Sequence, residues 1–281
     1  HDMDGLWVDL NEPSPILPHG AELPEDLWHR GGGEIDPGTH AQYHNVYGLL
    51  MSKATHEAMR EARPERRPFV LTRSTFLGGQ RYAATWTGDN VADWRHLHWS
   101  VPMVLNLGLS GQPNSGPDIG AFLPFCRTHN SLHGEQEPWS FGPEVEAASK
   151  LALARRYRLL PYLYTSFHEA STSGLPVARP LFFADPADPA LREEDHAFLL
   201  GSDLMVQPAL LESGRHDFAM PKGDWRPITL AGEDPSVSPE QPVLRLRPGA
   251  ILPLGPGGQR SDEAFEGPLT LLVALDEHGQ A

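Results

Sequence analysis

The chain has 281 residues, enough for one large domain or two smaller ones, and 40% hydrophobic and 21% charged residues are typical of a globular protein. Its net charge of −15 argues against nucleic acid as a partner, because phosphate binding needs clustered lysine and arginine. No apolar run is long enough to span a membrane, so no membrane partner is expected. The single Cys126 excludes an internal disulfide and gives no sign of an oxidising compartment.

The stretch GLWVDLNEP, residues 5–13, predicts a short strand followed by acidic groups. Leu6 to Val8 form an apolar run like that of a strand buried on both faces, and Pro13 ends it. In a barrel of parallel strands, polar groups after a strand face the mouth of the active site, so Asp9 is well placed to act on a bound molecule. The alternative is that Asp9 only ends the strand and caps a turn.

Further along, strands and helices alternate. A loop rich in proline and glycine covers residues 14–40. We then predict a helix over 42–62, a strand over 69–71 and a strand leading to Asp89. These are followed by a helix over 92–109 with a kink at Pro102, by strands near Asp118 and in 123–130, and by a helix over 144–173 that ends at Gly174. The second helix is predicted to bury Trp94, Leu97, Val101 and Val104 on one side.

This alternation predicts an α/β fold of the (β/α) barrel type over residues 1–200. From residue 201 the pattern changes to short apolar runs between proline and glycine turns, as in WRPITL and LTLLVAL. That pattern predicts an antiparallel β domain over residues 201–281.

A second motif, RSTFLGGQRYAATWTGDN at residues 73–90, again places a carboxylate among aromatic and small residues. Together, WVDLNEPS and RYAATWTGDN resemble glycoside hydrolase family 31, and in particular its α-glucosidases. The resemblance extends in patches over nearly the whole chain. It implies a (β/α)8 TIM barrel, of which only the later strands are present, followed by an antiparallel β-sandwich domain; RPGAILPL at residues 247–254 resembles part of that domain.

The resemblance implies that Asp9 is the nucleophile and Asp89 the general acid/base. Retaining glycoside hydrolysis needs two such carboxylates about 5–5.5 Å apart, one ionised and one protonated when the substrate arrives. It uses carboxylates and water, so no cofactor is implied. The expected enzyme releases terminal α-linked glucose from oligosaccharides. Alternatives are an α-xylosidase, a glucosyltransferase or a lyase of the same family, or a non-catalytic carbohydrate-binding fragment. The oligomeric state and the compartment are not predicted.

Further substrate contacts are implied by the same resemblance. Arg81 would bind sugar hydroxyls, and His129 would reach the ring hydroxyls. Trp86 and Phe122 would form apolar walls of the sugar pocket, although core packing is the alternative for both. Asp118 would either contact the sugar or support the pocket. For Arg81 the alternative is a salt bridge to a carboxylate, and for His129 it is a buried, hydrogen-bonded imidazole.

The chain departs from the family in two ways. Only about five barrel strands can be counted, against eight in a closed barrel, so we expect a piece of a longer protein with exposed strand edges and poor solubility. In addition, Gly120 to Phe122 run almost directly into Leu123, whereas parallel neighbours need a crossover of roughly a dozen residues. Either a helical crossover has been omitted, which we favour, or the two strands cannot both occupy their usual places.

Other chemistries are weakly represented. His129, His133 and Glu135 are near a metal-ligand spacing, but they fall in a predicted loop and no H-E-x-x-H motif is present, so no metal is expected. The glycine-rich GGGE and GPGG segments lack the lysine of a phosphate-binding loop. No G-x-S-x-G motif of a serine nucleophile is present.

Overall fold

In this computed structural model, the described residues are 3–15, 23–118, 123–127, 129, 134–212, 217–230 and 241–281. They form two compact units, His1–Trp86 and Thr87–Ala281. The domain boundary predicted at residue 200 stays a prediction. Within the described ranges, no helix combines the length and apolar character needed to cross a membrane.

The first unit is built on a parallel sheet. Its elements are β1 (Leu6–Val8), β2 (Trp28–His29), β3 (Gly38–Thr39), α1 (His40–Tyr43), α2 (Tyr47–Ala62), β4 (Val70–Thr72) and β5 (Ala84–Trp86), with short 3₁₀ turns at His44–Val46 and Gly79–Arg81. β4 lies between β1 and β5 and is parallel to both, with Val8 opposite Thr72 and Thr72 opposite Thr85. The carboxyl ends of these strands therefore lie at one edge of the sheet.

The predicted helix over 42–62 is confirmed as α1 and α2, which the 3₁₀ turn separates, and the strand predicted over 69–71 is β4. All three residues of β4 and of β5 are buried, as expected for inner strands. β1 differs from the prediction of burial on both faces, because Trp7 is 51% exposed. Among the described residues of this unit, β1 pairs only with β4, so one side of the strand has no neighbour.

The second unit combines two long helices with antiparallel sheets. Its elements are α3 (Trp94–Leu109), β6 (Ser115–Gly116), α4 (Pro143–Ser173), β7 (Ala178–Pro180), α5 (Pro189–Arg192), β8 (Phe198–Leu200), β9 (Leu204–Gln207), β10 (Arg226–Ile228), β11 (Val243–Leu246), β12 (Ile251–Leu254) and β13 (Thr270–Val273). One antiparallel sheet has the order β10-β11-β9-β8-β7, and β12 pairs with β13 in another.

The core of this unit lies between the helices and the sheets. Leu159 and Leu163 of α4 belong to one buried cluster with Val104 of α3, Phe198 of β8 and Leu244 of β11. Burying each such side chain contributes roughly 1.5–3 kcal/mol. The predicted helix over 144–173 is confirmed as α4. Gly174 ends it with a φ of 77°, the left-handed conformation that glycine adopts without strain.

Two predictions in this unit are wrong. Trp94 is 46% exposed. It is the first residue of α3 and precedes the buried part of the helix, which includes Val101 and Val104. The strand expected from Leu123 does not form over the described residues 123–127. The backbone N–H of Phe125 instead donates to the carbonyl of Ser115 at 3.3 Å.

The physical reason for that second difference is the short connection. Only six residues separate Gly116 from Leu123, whereas a parallel crossover needs a dozen or more. The backbone at Phe125 lies directly against β6, and the carbonyl oxygen of Phe125 would lie 1.9 Å from a Cβ on Gly116. Glycine is therefore required at position 116 for this close approach.

Candidate active site

Asp9 occupies a tight turn directly after β1. One of its carboxylate oxygens, Oδ1, accepts a hydrogen bond from the backbone N–H of Leu10 at 2.8 Å. Leu10 itself has a φ of 53°, a left-handed conformation that is rare for a side chain of this size. Such strain costs of the order of 1–3 kcal/mol and is typical of functional sites, where the surrounding structure maintains it.

The buried Asn11 attaches this turn to the neighbouring strand. Its amide donates to the hydroxyl of Thr72 at 2.8 Å, and its side-chain oxygen accepts from the backbone N–H of Ser74 at 3.1 Å. The Thr72 hydroxyl in turn donates to the Ser74 carbonyl at 2.7 Å. Because buried polar groups need such partners, this network holds the ends of β1 and β4 in register.

Arg73 bridges two carboxylates at the same edge of the sheet. It approaches Oδ1 of Asp9 at 3.2 Å and donates to Glu12 at 2.6 Å. Burial by itself raises the pKa of Glu12, but hydrogen bonds from its own backbone, Ser14 and Arg73, together with the arginine charge, bring that pKa below its usual value. Glu12 thus stays ionised and holds the guanidinium beside Asp9.

Asp89 follows β5 by three residues and begins the second unit. The neighbouring Asn90 is buried, and its side-chain oxygen accepts from the hydroxyl of Thr87 at 2.9 Å and from the backbone N–H of Asp118 at 3.2 Å. The Asp89 side chain itself remains 45% exposed. The turn is therefore anchored by Asn90, while the carboxylate of Asp89 is accessible to a substrate.

Asp118, Arg127 and His129 lie around the Asp89 carboxylate. Arg127 donates two hydrogen bonds to the fully buried Asp118, at 2.5 and 3.2 Å. Its guanidinium is also 3.9 Å from Asp89, and Nε2 of His129 is 3.6 Å from Asp89. The structure thus brings three of the predicted site residues together, and Arg127 joins two of them.

Of the alternatives left open for Asp118, this geometry favours pocket support. Both of its oxygens are engaged by one guanidinium, a bidentate arrangement that is stronger and more directional than a single hydrogen bond. The side chain has no exposed surface with which to meet a sugar directly. Asp118 holds Arg127, whose guanidinium lies 3.9 Å from Asp89.

The remaining predicted site residues are Arg81, Trp86 and Phe122. Arg81 donates to the carbonyl of Gly78 at 3.0 Å and lies over the ring of Tyr82. Trp86 is only 2% exposed and packs edge-on against Trp7, with ring centres 5.2 Å apart. Phe122 lies outside the described residues. The substrate contacts of these three side chains stay predictions.

Arg73 and Arg127 are the site residues that the sequence analysis missed. Each follows an apolar run and precedes a polar group, as in VLTRS and FCRTH, which is a weak signal. Their carboxylate partners in the chain are up to 64 residues away for Arg73 and up to 38 for Arg127. Only the tertiary structure identifies those partners.

A cation could in principle be held by Asp89, Asp118 and His129, whose ligand atoms lie within 4.8 Å of one another. Arg127 already supplies a positive charge to both carboxylates, so a metal ion would have to displace the guanidinium from Asp118. The guanidinium therefore already engages the carboxylate oxygens that such an ion would use. His133, part of the earlier metal candidate, lies outside the described residues.

Comparison with protein families covers most of the chain. The model described as "Glycosyl hydrolases family 31 TIM-barrel domain" matches residues 1–166, and the model described as "Glycosyl hydrolase family 31 C-terminal domain" matches residues 174–252. The chain belongs to glycosyl hydrolase family 31. Its fold class, a partial TIM barrel followed by an antiparallel β domain, is thereby confirmed.

Individual family 31 proteins are similar over long stretches. Alpha-glucosidase 2 of Bacillus thermoamyloliquefaciens is 41% identical over 79% of the chain and 30% of its own length. The lysosomal alpha-glucosidase of Rattus norvegicus is 36% identical over 99% of the chain and 36% of its own length. The crystal structure of a family 31 alpha-glucosidase from Bacteroides thetaiotaomicron superimposes with a TM-score of 0.82 at 47% identity, covering 98% of the chain and 45% of that protein.

The chain spans about a third of the length of the curated family 31 relatives it matches. The alignment with the rat protein extends over 344 positions, more than the 281 residues of the chain, so that relative contains residues opposite gaps in this sequence.

Proposed function

We propose that the protein represented by this chain is a retaining α-glucosidase that releases terminal α-linked glucose from oligosaccharides. The observation that carries the proposal is the position of the two motif carboxylates. Each comes shortly after the carboxyl end of a parallel strand along the chain, Asp9 directly after β1 and Asp89 three residues after β5. Barrel enzymes carry their catalytic groups in the segments that follow such strands.

In the proposed mechanism, a carboxylate oxygen of Asp9 attacks the anomeric carbon and forms a glycosyl ester. Asp89 gives its proton to the departing glycosidic oxygen. Asp89 then removes a proton from water, which attacks the anomeric carbon and releases Asp9. The exposure of Asp89 supports this role, since the group must reach both the leaving oxygen and water.

The two arginines have positioning roles in this proposal. Arg73 lies beside Asp9 and is held by Glu12, while Arg127 lies beside Asp89 and is held by Asp118. Each carboxylate therefore has a positive charge nearby whose position is set by a second carboxylate. Such preorganisation limits the rearrangement needed when charge develops during the reaction.

The test is glucose release from maltose and from an aryl α-glucoside, by the 281-residue chain and by the full-length protein. Asp9→Ala should abolish release from both substrates. Asp89→Asn should abolish turnover of maltose but leave some turnover of the aryl glucoside, because an activated leaving group needs no proton. The exposed Asp26 gives the matched control Asp26→Asn, which should keep full activity.

Unchanged rates in Asp89→Asn would contradict its assignment, and release that persists in Asp9→Ala would contradict the nucleophile. The anomer of the first-formed glucose, followed by NMR, tests retention. An aryl α-xyloside tests the xylosidase alternative, and glucose transfer to added maltose tests the transferase alternative. Activity in the full-length protein alone would mean that the catalytic pair needs strands outside this chain.

A further inference from the structure

A pair of histidines that is not part of the candidate active site joins α3 to the segment before β8. His98 lies within α3, and His196 lies two residues before β8. Their Nε2 atoms are 3.0 Å apart, and the pair is separated by 98 residues in sequence. Both side chains are half-buried, so solvent and small ions can reach them.

The neighbouring acidic residues fix the orientation of His196. Nδ1 of His196 is 2.9 Å from a carboxylate oxygen of Asp195. Glu194 accepts hydrogen bonds from the backbone N–H groups of His196 and Ala197, at 2.9 and 3.1 Å, and so holds this stretch of backbone. With its Nδ1 hydrogen directed at Asp195, His196 presents Nε2 as a lone-pair donor towards His98.

The arrangement of the two rings matches two ligands on one ion. The ring centres are only 4.3 Å apart with planes inclined at 55°, so the imidazoles lie side by side. The two Nε2 atoms are hydrogen-bonded to each other in this structure, so a bound ion would take the place of the proton that they share. With metal–nitrogen bonds of about 2.0–2.1 Å, the 3.0 Å separation corresponds to about 91–97° at the ion.

An angle near a right angle is that of adjacent ligands in tetragonal coordination, which is typical of copper(II) and nickel(II) with nitrogen ligands. Asp195 supplies the outer partner that metal-binding histidines generally have, a carboxylate on the second ring nitrogen. We propose that His98 and His196 together bind one copper(II)-like or nickel(II)-like ion through their Nε2 atoms.

Bound there, the ion would link α3 to the segment that enters the antiparallel sheet. Since the ion binds the folded arrangement of two distant residues, it stabilises the fold by linkage. The site has no part in the glycosidase mechanism proposed above.

The test is titration of the metal-free 281-residue chain with copper(II) sulfate by calorimetry, with electron paramagnetic resonance of the one-to-one sample. The wild-type chain should bind one copper ion more tightly than any other, with two nitrogen ligands in its spectrum and a higher melting temperature. His98→Ala and His196→Ala should each weaken this binding at least about tenfold and remove the two-nitrogen signature. Asp195→Asn should keep both nitrogens and weaken binding about 10–100-fold.

The chain contains 14 histidines, so controls are essential. The exposed His278 gives the matched variant His278→Ala, which should bind copper as the wild type does. Tight binding that survives in both His98→Ala and His196→Ala would overturn the proposal. Loss of tight binding in His129→Ala, but not in His98→Ala, would assign the ion to the Asp89 cluster instead. Circular dichroism checks folding, and Asp195→Asn keeps the test valid if an alanine variant unfolds.

Discussion

Asp9 and Asp89 each lie beside an arginine that contacts a second carboxylate, but the two second carboxylates differ in burial. In the first unit, Arg73 joins Asp9 to Glu12, and in the second, Arg127 joins Asp89 to Asp118. The Glu12 side chain is 33% exposed, whereas Asp118 has no exposed surface. Water can therefore compensate for a lost partner at Glu12 but not at Asp118.

The two turns also obtain their rigidity differently. Asn11 is buried beside Asp9 and connects its turn to β4 through side-chain hydrogen bonds. Asn90 anchors the turn of Asp89 through Thr87 and the backbone of Asp118. In both cases an amide next to the carboxylate supports the turn, which leaves the carboxylate itself available for chemistry. Four substitutions test this comparison.

The largest effect on stability is expected from Arg127→Gln. It leaves the buried Asp118 carboxylate without its bidentate partner, which should cost about 3–5 kcal/mol of unfolding free energy. Urea unfolding followed by tryptophan fluorescence measures the loss. Arg95→Gln, which removes a 65% exposed arginine, is the control and should change stability by less than about 0.5 kcal/mol. Equal losses in the two variants would contradict the inferred difference in burial.

Asn11→Ala should have the next largest effect. It removes one hydrogen bond to the Thr72 hydroxyl and one from the Ser74 backbone, at a cost of about 1–3 kcal/mol for the groups left without partners. Hydrogen exchange measured by mass spectrometry should show faster exchange at the end of β4. The exposed Asn45 supplies the control Asn45→Ala, and unchanged exchange at β4 in Asn11→Ala would refute the anchoring role.

Arg73→Gln should cost less than Arg127→Gln, about 1 kcal/mol, because solvent reaches its carboxylate partners. The informative measurement is the activity of the full-length protein alongside its stability. If Arg73 positions charge beside Asp9, turnover should fall while the melting temperature changes little. A stability loss as large as that of Arg127→Gln would show that the two bridges are energetically alike.

The smallest effect concerns pH. Because the folded-state pKa of Glu12 is lowered, its ionisation contributes stability above its ordinary pKa of about 4.5, and this contribution is lost as pH falls through the lower folded value. The difference in unfolding free energy between wild type and Glu12→Gln should therefore be larger at pH 7 than at pH 3. Glu65→Gln, at an exposed position, corrects for the loss of one negative charge. A difference independent of pH would contradict the lowered pKa.

Much of the local structure was predictable because it depends on short-range patterns. Helical spacing of apolar residues indicated α2, α3 and α4, and Gly174 marked the end of the last. The strand expected after Leu123 was not realised, since an apolar run does not show whether the chain length before it permits parallel pairing. The antiparallel sheet includes β7 at Ala178–Pro180, which precedes the composition change at residue 201.

The family, the two candidate carboxylates and the order of helices and strands could be predicted from the sequence alone. Motifs and periodicity, on which these predictions rest, are local properties of the chain. Only the tertiary structure decided that Arg127 neutralises a buried Asp118, that Arg73 bridges Asp9 and Glu12, and that His98 meets His196. These contacts join residues up to 98 positions apart, and their strength depends on burial. Neither the separation in space nor the exclusion of water can be derived from residue spacing.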